Sequence, residues 1–229
     1  MKRTLDWDKY LETSARAVSG GIVMLKNDGA LPLKQGGTAA VFGRIQLHYY
    51  KSGTGSGGMV NVSKVIGITD GLLDAGYKLD EQLLNAYREW DEQNPFDYGE
   101  GWGGEPWSQK EMPLTDELVG GAAFRADVAI VIIGRAAGEE MDNKGAFLLS
   151  DLEEDMLRRV TSAFDKTVVL LNTGGLIDMS FMDRYPVSAV MYVWQGGMVG
   201  GAGTAAVLTG EVSPSGKLPD TIAYEISDY

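Results

Sequence analysis

Cysteine is absent from this chain of 229 residues, which excludes disulfide staples, thiol nucleophiles and thiolate metal sites. Histidine is nearly absent, with His48 the sole example. A Ser-His-Asp triad is therefore not credible within the chain, and a His-rich zinc site is excluded. His48 itself is expected to be an ordinary, partly buried side chain, and neither a metal nor an organic cofactor is expected. Positive charge is scarce, with 20 Lys and Arg against 32 Asp and Glu for a net charge of −12. Phosphate backbones are held mainly by Lys and Arg, so nucleic acid and anionic membranes are disfavoured as partners. A neutral ligand is indifferent to that field. Long apolar runs are missing as well, and no stretch suffices to cross a membrane. The opening Met-Lys-Arg-Thr-Leu-Asp-Trp-Asp-Lys carries the charge of a signal peptide without the apolar core that should follow. A soluble, cytoplasmic chain is the expectation.

What is present organises itself as strands alternating with helices. Residues 6–19 have helical spacing, with Leu5, Tyr10, Leu11, Ala15 and Val18 on one side and Gly20-Gly21 as the stop. A short apolar run over 22–25 is followed by a turn at Asn27-Asp28-Gly29, and 38–42 has the character of a first central strand. The run 127–133 (Asp-Val-Ala-Ile-Val-Ile-Ile) suits a strand buried on both faces of a parallel sheet. An amphipathic helix over 152–164 starts from a capping box of Ser150 and Glu153. Two more β-branched runs, 168–171 and 187–193, and a small-residue helix over 200–208 complete the pattern. Such alternation implies parallel βαβ units with right-handed crossovers. The fold class is therefore α/β: an open, mostly parallel sheet with helices on both faces, an α/β sandwich. One segment breaks the rhythm. Residues 94–114 mix aromatics with Gly and Pro, which predicts a long loop with its own function. Its Trp102 and Trp107 either offer apolar faces to a ligand or anchor the loop to its own domain.

The loop Gly134–Lys144 (Gly-Arg-Ala-Ala-Gly-Glu-Glu-Met-Asp-Asn-Lys) follows the most apolar strand. Open α/β folds place ligand chemistry beyond the carboxyl ends of such strands. Here Glu139, Glu140 and Asp142 accompany Arg135 and Lys144. Carboxylates among cations can be tuned into acids or bases, or the cluster can be a solvated, salt-bridged loop. A second motif, Gly53-Thr-Gly55-Ser-Gly57-Gly58, satisfies Gly-x-Gly-x-x-Gly with Asp70 downstream. Its context argues against a dinucleotide site, because 46–51 separate it from the strand and no helix opens on its last glycine.

Taken in order, five segments resemble glycoside hydrolase family 3, the β-glucosidase family. They are 17–33 (…Val-Met-Leu-Lys-Asn-Asp-Gly-Ala-Leu-Pro-Leu), 40–43 with the glycine-rich 52–58, 138–142 (similar to the family's Gly-Glu-Gly-x-Asp-Arg), 194–201, and 213–221 (Ser-Pro-Ser-Gly-Lys-Leu-Pro-Asp-Thr). The resemblance is to the α/β sandwich domain of these enzymes and not to their (β/α)₈ barrel, which carries the nucleophilic Asp. At 229 residues there is room for one domain, 1–229 with a loop insertion at 94–114, but not for a barrel as well. A chain running from Met1 almost directly into the Lys-Asn…Leu-Pro-Leu segment fits members in which the sandwich precedes the barrel.

The resemblance implies a retaining β-glycosidase, in which two carboxyl groups about 5–5.5 Å apart flank the scissile bond. It assigns the general acid/base to Glu139, which would protonate the departing oxygen and later deprotonate water. That role needs a pKa raised by desolvation in a closed cleft and by a neighbouring carboxylate. Glu140 replaces the motif's second Gly and Asn143 its Arg, while Asp142 matches its Asp and is expected to orient the loop. Lys51, Ser52 and Ser56 are the hydrogen-bonding candidates of a glycine-rich loop at the cleft mouth, joined by Trp102 and Trp107. Trp194 is expected as core or cleft wall, and 213–218 as a structural turn. The partners implied are a β-glycoside and the barrel domain, with oligomeric state and sugar preference left open. Alone, the chain is expected to be inactive. Two competing readings are a sugar-binding module without chemistry of its own and, more remotely, a flavodoxin-like nucleotide binder.

Overall fold

The computed structural model of the chain describes residues 4–139 and 143–228. Its first element, α1 (Trp7–Gly21), is capped by Asp6, whose side chain accepts from the Lys9 N–H. The helix ends at Gly21, within the Gly20-Gly21 pair that the sequence suggests as its stop. Ser215 Oγ donates to the Gly20 carbonyl and Trp194 Nε1 to that of Gly21, so last-turn carbonyls that would otherwise be orphaned find partners. Strands β1 (Val23–Asn27) and β2 (Thr38–Phe42) follow. Then come α2 (Ile68–Asp74), the short β3 (Lys78–Leu79), α3 (Glu81–Gln93) and α4 (Asp116–Arg125). The remainder is β4 (Val128–Arg135), α5 (Asp151–Ala163), β5 (Thr167–Thr173), α6 (Phe181–Arg184), β6 (Ala189–Tyr192) and α7 (Gly200–Leu208).

Four of these helices, α2, α3, α4 and α6, lie outside the sequence reading, although the caps of α3 and α4 are written in it. Asp80 accepts from Gln82 and Leu83 at the start of α3, and Thr115 from Leu118 at the start of α4. The capping box of Ser150 and Glu153 forms as expected at α5. Residues 94–114 contain no helix or strand.

The sheet has six strands in the order β1-β6-β5-β4-β2-β3. All neighbours pair in parallel except β1, which runs antiparallel to β6. Side-chain alternation splits the core in two. Val128, Ile130 and Ile132 of β4 pack with Ile68 and Leu72 of α2 and Val207 and Leu208 of α7. Ala129, Val131 and Ile133 face Tyr87 of α3, Val119 of α4 and Leu157 and Val160 of α5. Both faces of β4 are thus covered, which is why all eight of its residues are buried and why 128–133 read as a continuous apolar run. Among the described residues no helix is long and apolar enough to cross a membrane.

From β2 the chain moves outward to β3 on one side, then returns to β4 on the other. The carboxyl ends of β2 and β4 therefore diverge at a topological switch point. Doubly wound sheets leave a ligand crevice at such a place.

Candidate functional site

Two loops meet above that switch point. The segment leaving β2 turns at Gly43, whose φ of 99° lies where only glycine sits easily. It then runs through residues 44–58 across the end of β4. The Thr54 N–H donates to the Ala137 carbonyl at 2.6 Å. A Cβ on Gly53 would stand 2.3 Å from that carbonyl oxygen, and one on Gly138 1.7 Å from Thr54 Oγ1. The glycines of the two motifs let one backbone lie directly on the other. They bind no phosphate-type helix start, since the next helix, α2, opens ten residues after Gly58 at Ile68.

This contact delivers Glu139 to the rim. Glu139 is exposed, and its Oε1 accepts a short hydrogen bond from Ser56 Oγ. Its carboxyl carbon lies 3.4 Å, and the Trp102 ring 3.3 Å, from the point where a Cβ on Gly55 would stand. The carboxylate and an aromatic face thus converge over one glycine. Lys51 Nζ reaches Ser52 Oγ at 3.3 Å and the Gly58 carbonyl at 3.4 Å. Asp142 lies outside the described residues.

Beside them opens a cavity of about 520 Å³, within the range of small-molecule sites. Lys51, Ser52 and Trp102 line it, whereas Ser56, Trp107 and Glu139 do not. Trp107 is half-buried and its carbonyl accepts from the Ala136 N–H at 2.8 Å, so its backbone ties the aromatic loop to the end of β4. The loop closes on itself through Gln109, which bonds both the N–H and the carbonyl of Asp97, and through Lys110 Nζ on Asn94 Oδ1. Further lining residues escape the sequence reading, among them Tyr50, Phe96, Tyr98 and Glu105. Phe96 stacks between His48 and Tyr98, with centroids at 4.5 and 4.9 Å. Burial pushes the Glu105 carboxyl up, with the Tyr50 hydroxyl pulling against it and the Asp97 charge adding to it. Composition flags 94–114 as a functional loop, but which of its residues point inward depends on where Gln109 and Asp97 close its neck.

Beneath the rim the ionic contacts are structural. Arg135 does not join the charged loop as its sequence position suggests. It is 1% exposed, and its guanidinium grips both oxygens of Glu153 at 2.6 and 2.7 Å and the Ala146 carbonyl at 2.8 Å. As the last residue of β4 it alternates inward towards α5. Arg44, equally buried, donates to Asp91 at 2.5 Å, and His48 meets the other oxygen of Asp91 at 2.7 Å. Burial alone would raise Asp91; the bonds from Arg44 and His48 hold its carboxyl below the usual range. Glu111 accepts from the backbone N–H groups of Arg44 and Met112. Burial nonetheless pushes its pKa up to about 7. Among the described residues there is no cluster of three or more His, Asp or Glu placed to hold a metal.

A doubly wound sheet carrying an exposed carboxylate over a glycine-rich loop at its switch point defines a class of α/β sandwich domain. Comparison with known proteins makes the class specific. Residues 22–229 match the glycosyl hydrolase family 3 C-terminal domain, and the chain belongs to that family. It is 62% identical over 228 residues to a β-glucosidase of Ruminococcus albus, covering 98% of this chain and 24% of that protein. The structure superimposes on a β-glucosidase from Paenibacillus barengoltzii with a TM-score of 0.93 at 48% identity, covering 99% of this chain and 25% of that one. For β-glucosidase 3B from Thermotoga neapolitana, solved in complex with glucose, the TM-score is 0.87 at 32% identity, covering 98% and 32%. The chain thus spans about a quarter to a third of the length of these relatives.

Proposed function

We propose that the chain is the sandwich part of a retaining β-glucosidase and supplies its general acid/base, Glu139, to a cleft completed by a barrel domain. The observation that carries this is the position of the Glu139 carboxylate, solvent-facing at the switch point and held by Ser56 above Gly55. A group that must give a proton to a departing oxygen and later take one from water needs access from the substrate side. Carboxylates serving the fold, such as Glu153, are turned inward instead. Ser56 fixes one oxygen of Glu139 and leaves the other for the reaction. Trp102 supplies an apolar wall beside it, and Lys51 and Ser52 line the adjoining cavity. The second carboxyl, the nucleophile, belongs to the barrel, so the chain alone performs no hydrolysis.

The test is Glu139→Ala in the full-length protein. Turnover of a β-glucoside with a poor leaving group should fall about 10²–10⁴-fold, the usual contribution of a positioned proton donor. A dinitrophenyl glucoside, which needs no protonation, should suffer less in its first step, and azide should restore turnover by replacing activated water. Unchanged kcat with a raised KM would instead make the domain a binding module without chemistry. Turnover by the purified 229-residue chain would refute the two-domain cleft.

A further inference from the structure

Trp194 is the one non-glycine among the described residues whose backbone lies in the left-handed region, with a φ of 55°. A bulky residue is strained there and persists only where its surroundings over-determine it. Here they do. Asn172, fully buried near the end of β5, donates through Nδ2 to the Trp194 carbonyl at 2.6 Å. The same amide bonds both backbone groups of Tyr50, at 2.9 and 3.0 Å. The Trp194 ring packs on Tyr192 with centroids 4.8 Å apart, and its Nε1 donates to the Gly21 carbonyl. Just beyond, the Gly196 N–H donates to the Tyr49 hydroxyl and the Gly197 N–H to the Lys51 carbonyl. The turn after β6 is thus fastened to β5 on one side and to the rim segment 49–51 on the other.

The strained turn decides where Gln195 goes. Its Oε1 stands 2.8 Å from the point where a Cβ on Gly174 would sit, and 3.6 Å from the corresponding point on Gly53. Ala137 Cβ lies 2.4 Å from the first point, and the Ala137 carbonyl oxygen 2.3 Å from the second. Gln195 therefore packs against the crossing at which the Thr54 N–H meets the Ala137 carbonyl, two residues before Glu139. A side chain at either glycine would collide with Ala137. Gln195 does not line the cavity, and its amide nitrogen is buried without a hydrogen-bond partner. Buried donors are normally satisfied, so each exception calls for an explanation. A glutamine kept for its bonds would make them. This one serves through its volume.

We infer that Gln195 is a positioning residue for the proton donor: wedged against Gly53, Ala137 and Gly174 by the turn at Trp194, it sets how far the Glu139 carboxylate projects from the rim. This rests on the reading of Glu139 as general acid/base. Gln195 takes no proton itself and acts on the transfer step through the backbone of Ala137 and Gly138.

The experiment uses the full-length protein and compares two values of kcat/KM. One is for phenyl β-glucoside, whose leaving group must be protonated, and the other for the dinitrophenyl glucoside, whose leaving group need not be. Gln195→Ala opens space beneath the crossing. It should lower the first value about 10–10²-fold, through kcat and not KM, since misplacing a reacting group by about 1 Å costs up to about 10²-fold. The second value should change less than about threefold, because no proton transfer limits it. Gln195→Met restores the volume without the amide and should bring the first value back to within about threefold of the parent. Its Tm should be unchanged or higher, because an unpaired buried donor has been removed. Gln195→Asn keeps the amide but shortens the side chain, and should behave like the alanine variant. An unchanged ratio of the two values in Gln195→Ala, or rescue by Asn and not by Met, would overturn the inference. Glu139→Ala is measured alongside. If it too fails to discriminate between the glucosides, the reading of Glu139 falls; if it discriminates and Gln195→Ala does not, the wedge alone is removed.

Discussion

Four glutamates mark the descent from the rim of the sheet into its core, and their surroundings differ step by step. Glu153, in the core, has an arginine fork on both oxygens and the Ser150 N–H and hydroxyl on one of them. Glu111 is as deeply buried but has only two backbone N–H groups. Glu105, half-buried in the cavity wall, interacts with the Tyr50 hydroxyl. Glu139, at the rim, is held by a single hydroxyl. A carboxylate that serves the fold has its lone pairs filled by the fold. One that serves a ligand keeps some of them free, at a cost in stability. Breaking contacts at the two buried members should therefore show in stability, as the rim variants described above should show in turnover.

The largest effect is expected at Arg135. Arg135→Met keeps the length of the side chain but leaves Glu153 buried without its counter-charge. Removing one partner of a buried pair costs about 3–5 kcal/mol, to be read from the urea midpoint. A double variant, Arg135→Met with Glu153→Leu, should recover part of the loss by replacing the pair with apolar packing. Recovery should stay incomplete, because Arg135 also donates to the carbonyls of Gly134, Ala146 and Leu148. A single variant costing less than about 1 kcal/mol would place Glu153 with surface pairs and dissolve the gradient.

Glu111 offers the next largest effect, with the opposite dependence on charge. Its folded pKa of about 7 lies above the ordinary glutamate value, so the folded chain holds the proton more tightly than the unfolded one. The resulting stability is fully present at acidic pH, below the unfolded pKa, and is lost as pH rises from there through the folded value near 7. An upward shift of this size corresponds to about 3 kcal/mol. Glu111→Gln cannot ionise, so the variant should lose that part of the slope. Unfolding free energies at pH 5 and pH 8 should differ less in the variant than in the parent chain. Parallel pH profiles would show that Glu111 has backbone support enough to stay ionised.

Legibility in the sequence followed the range of the interaction. The central strands could be read because most residues buried on both faces are apolar, as in residues 128–133 of β4. The start of α5 could be read because Ser150 and Glu153 are three residues apart and cap one another. The glycine-rich and Gly-Glu motifs pointed to two loops, and the fold brings them together at Gly53 and Gly138. Arg135 was misassigned because its partner lies on α5, on the far side of the loop, where neighbouring charges give no hint of it. The helices α3 and α4 went unread although Asp80 and Thr115 cap them, and α2 and α6 are short, 7 and 4 residues, with no side-chain cap to mark their starts. Tyr50 and Glu105 escaped for a deeper reason. Their meeting depends on how a 3₁₀ turn after Gly43 and the closure of a long loop place two segments in one wall, which no local pattern encodes.

The smallest expected effect sits on the surface and calibrates the rest. Arg158 on α5 pairs with Asp155 in the preceding turn, but it is about half exposed. Asp155 is also bonded by Arg159, which is the first cause of its lowered pKa. Removing Arg158 thus leaves the carboxylate both hydrated and paired. Arg158→Ala should change the unfolding free energy by less than about 0.5 kcal/mol, as exposed helix pairs do, and added salt should erase even that. The contrast with Arg135 is the point of the measurement, since both arginines contact a carboxylate of the same helix. A loss at Arg158 comparable to that at Arg135 would mean that burial and saturation do not grade these contacts.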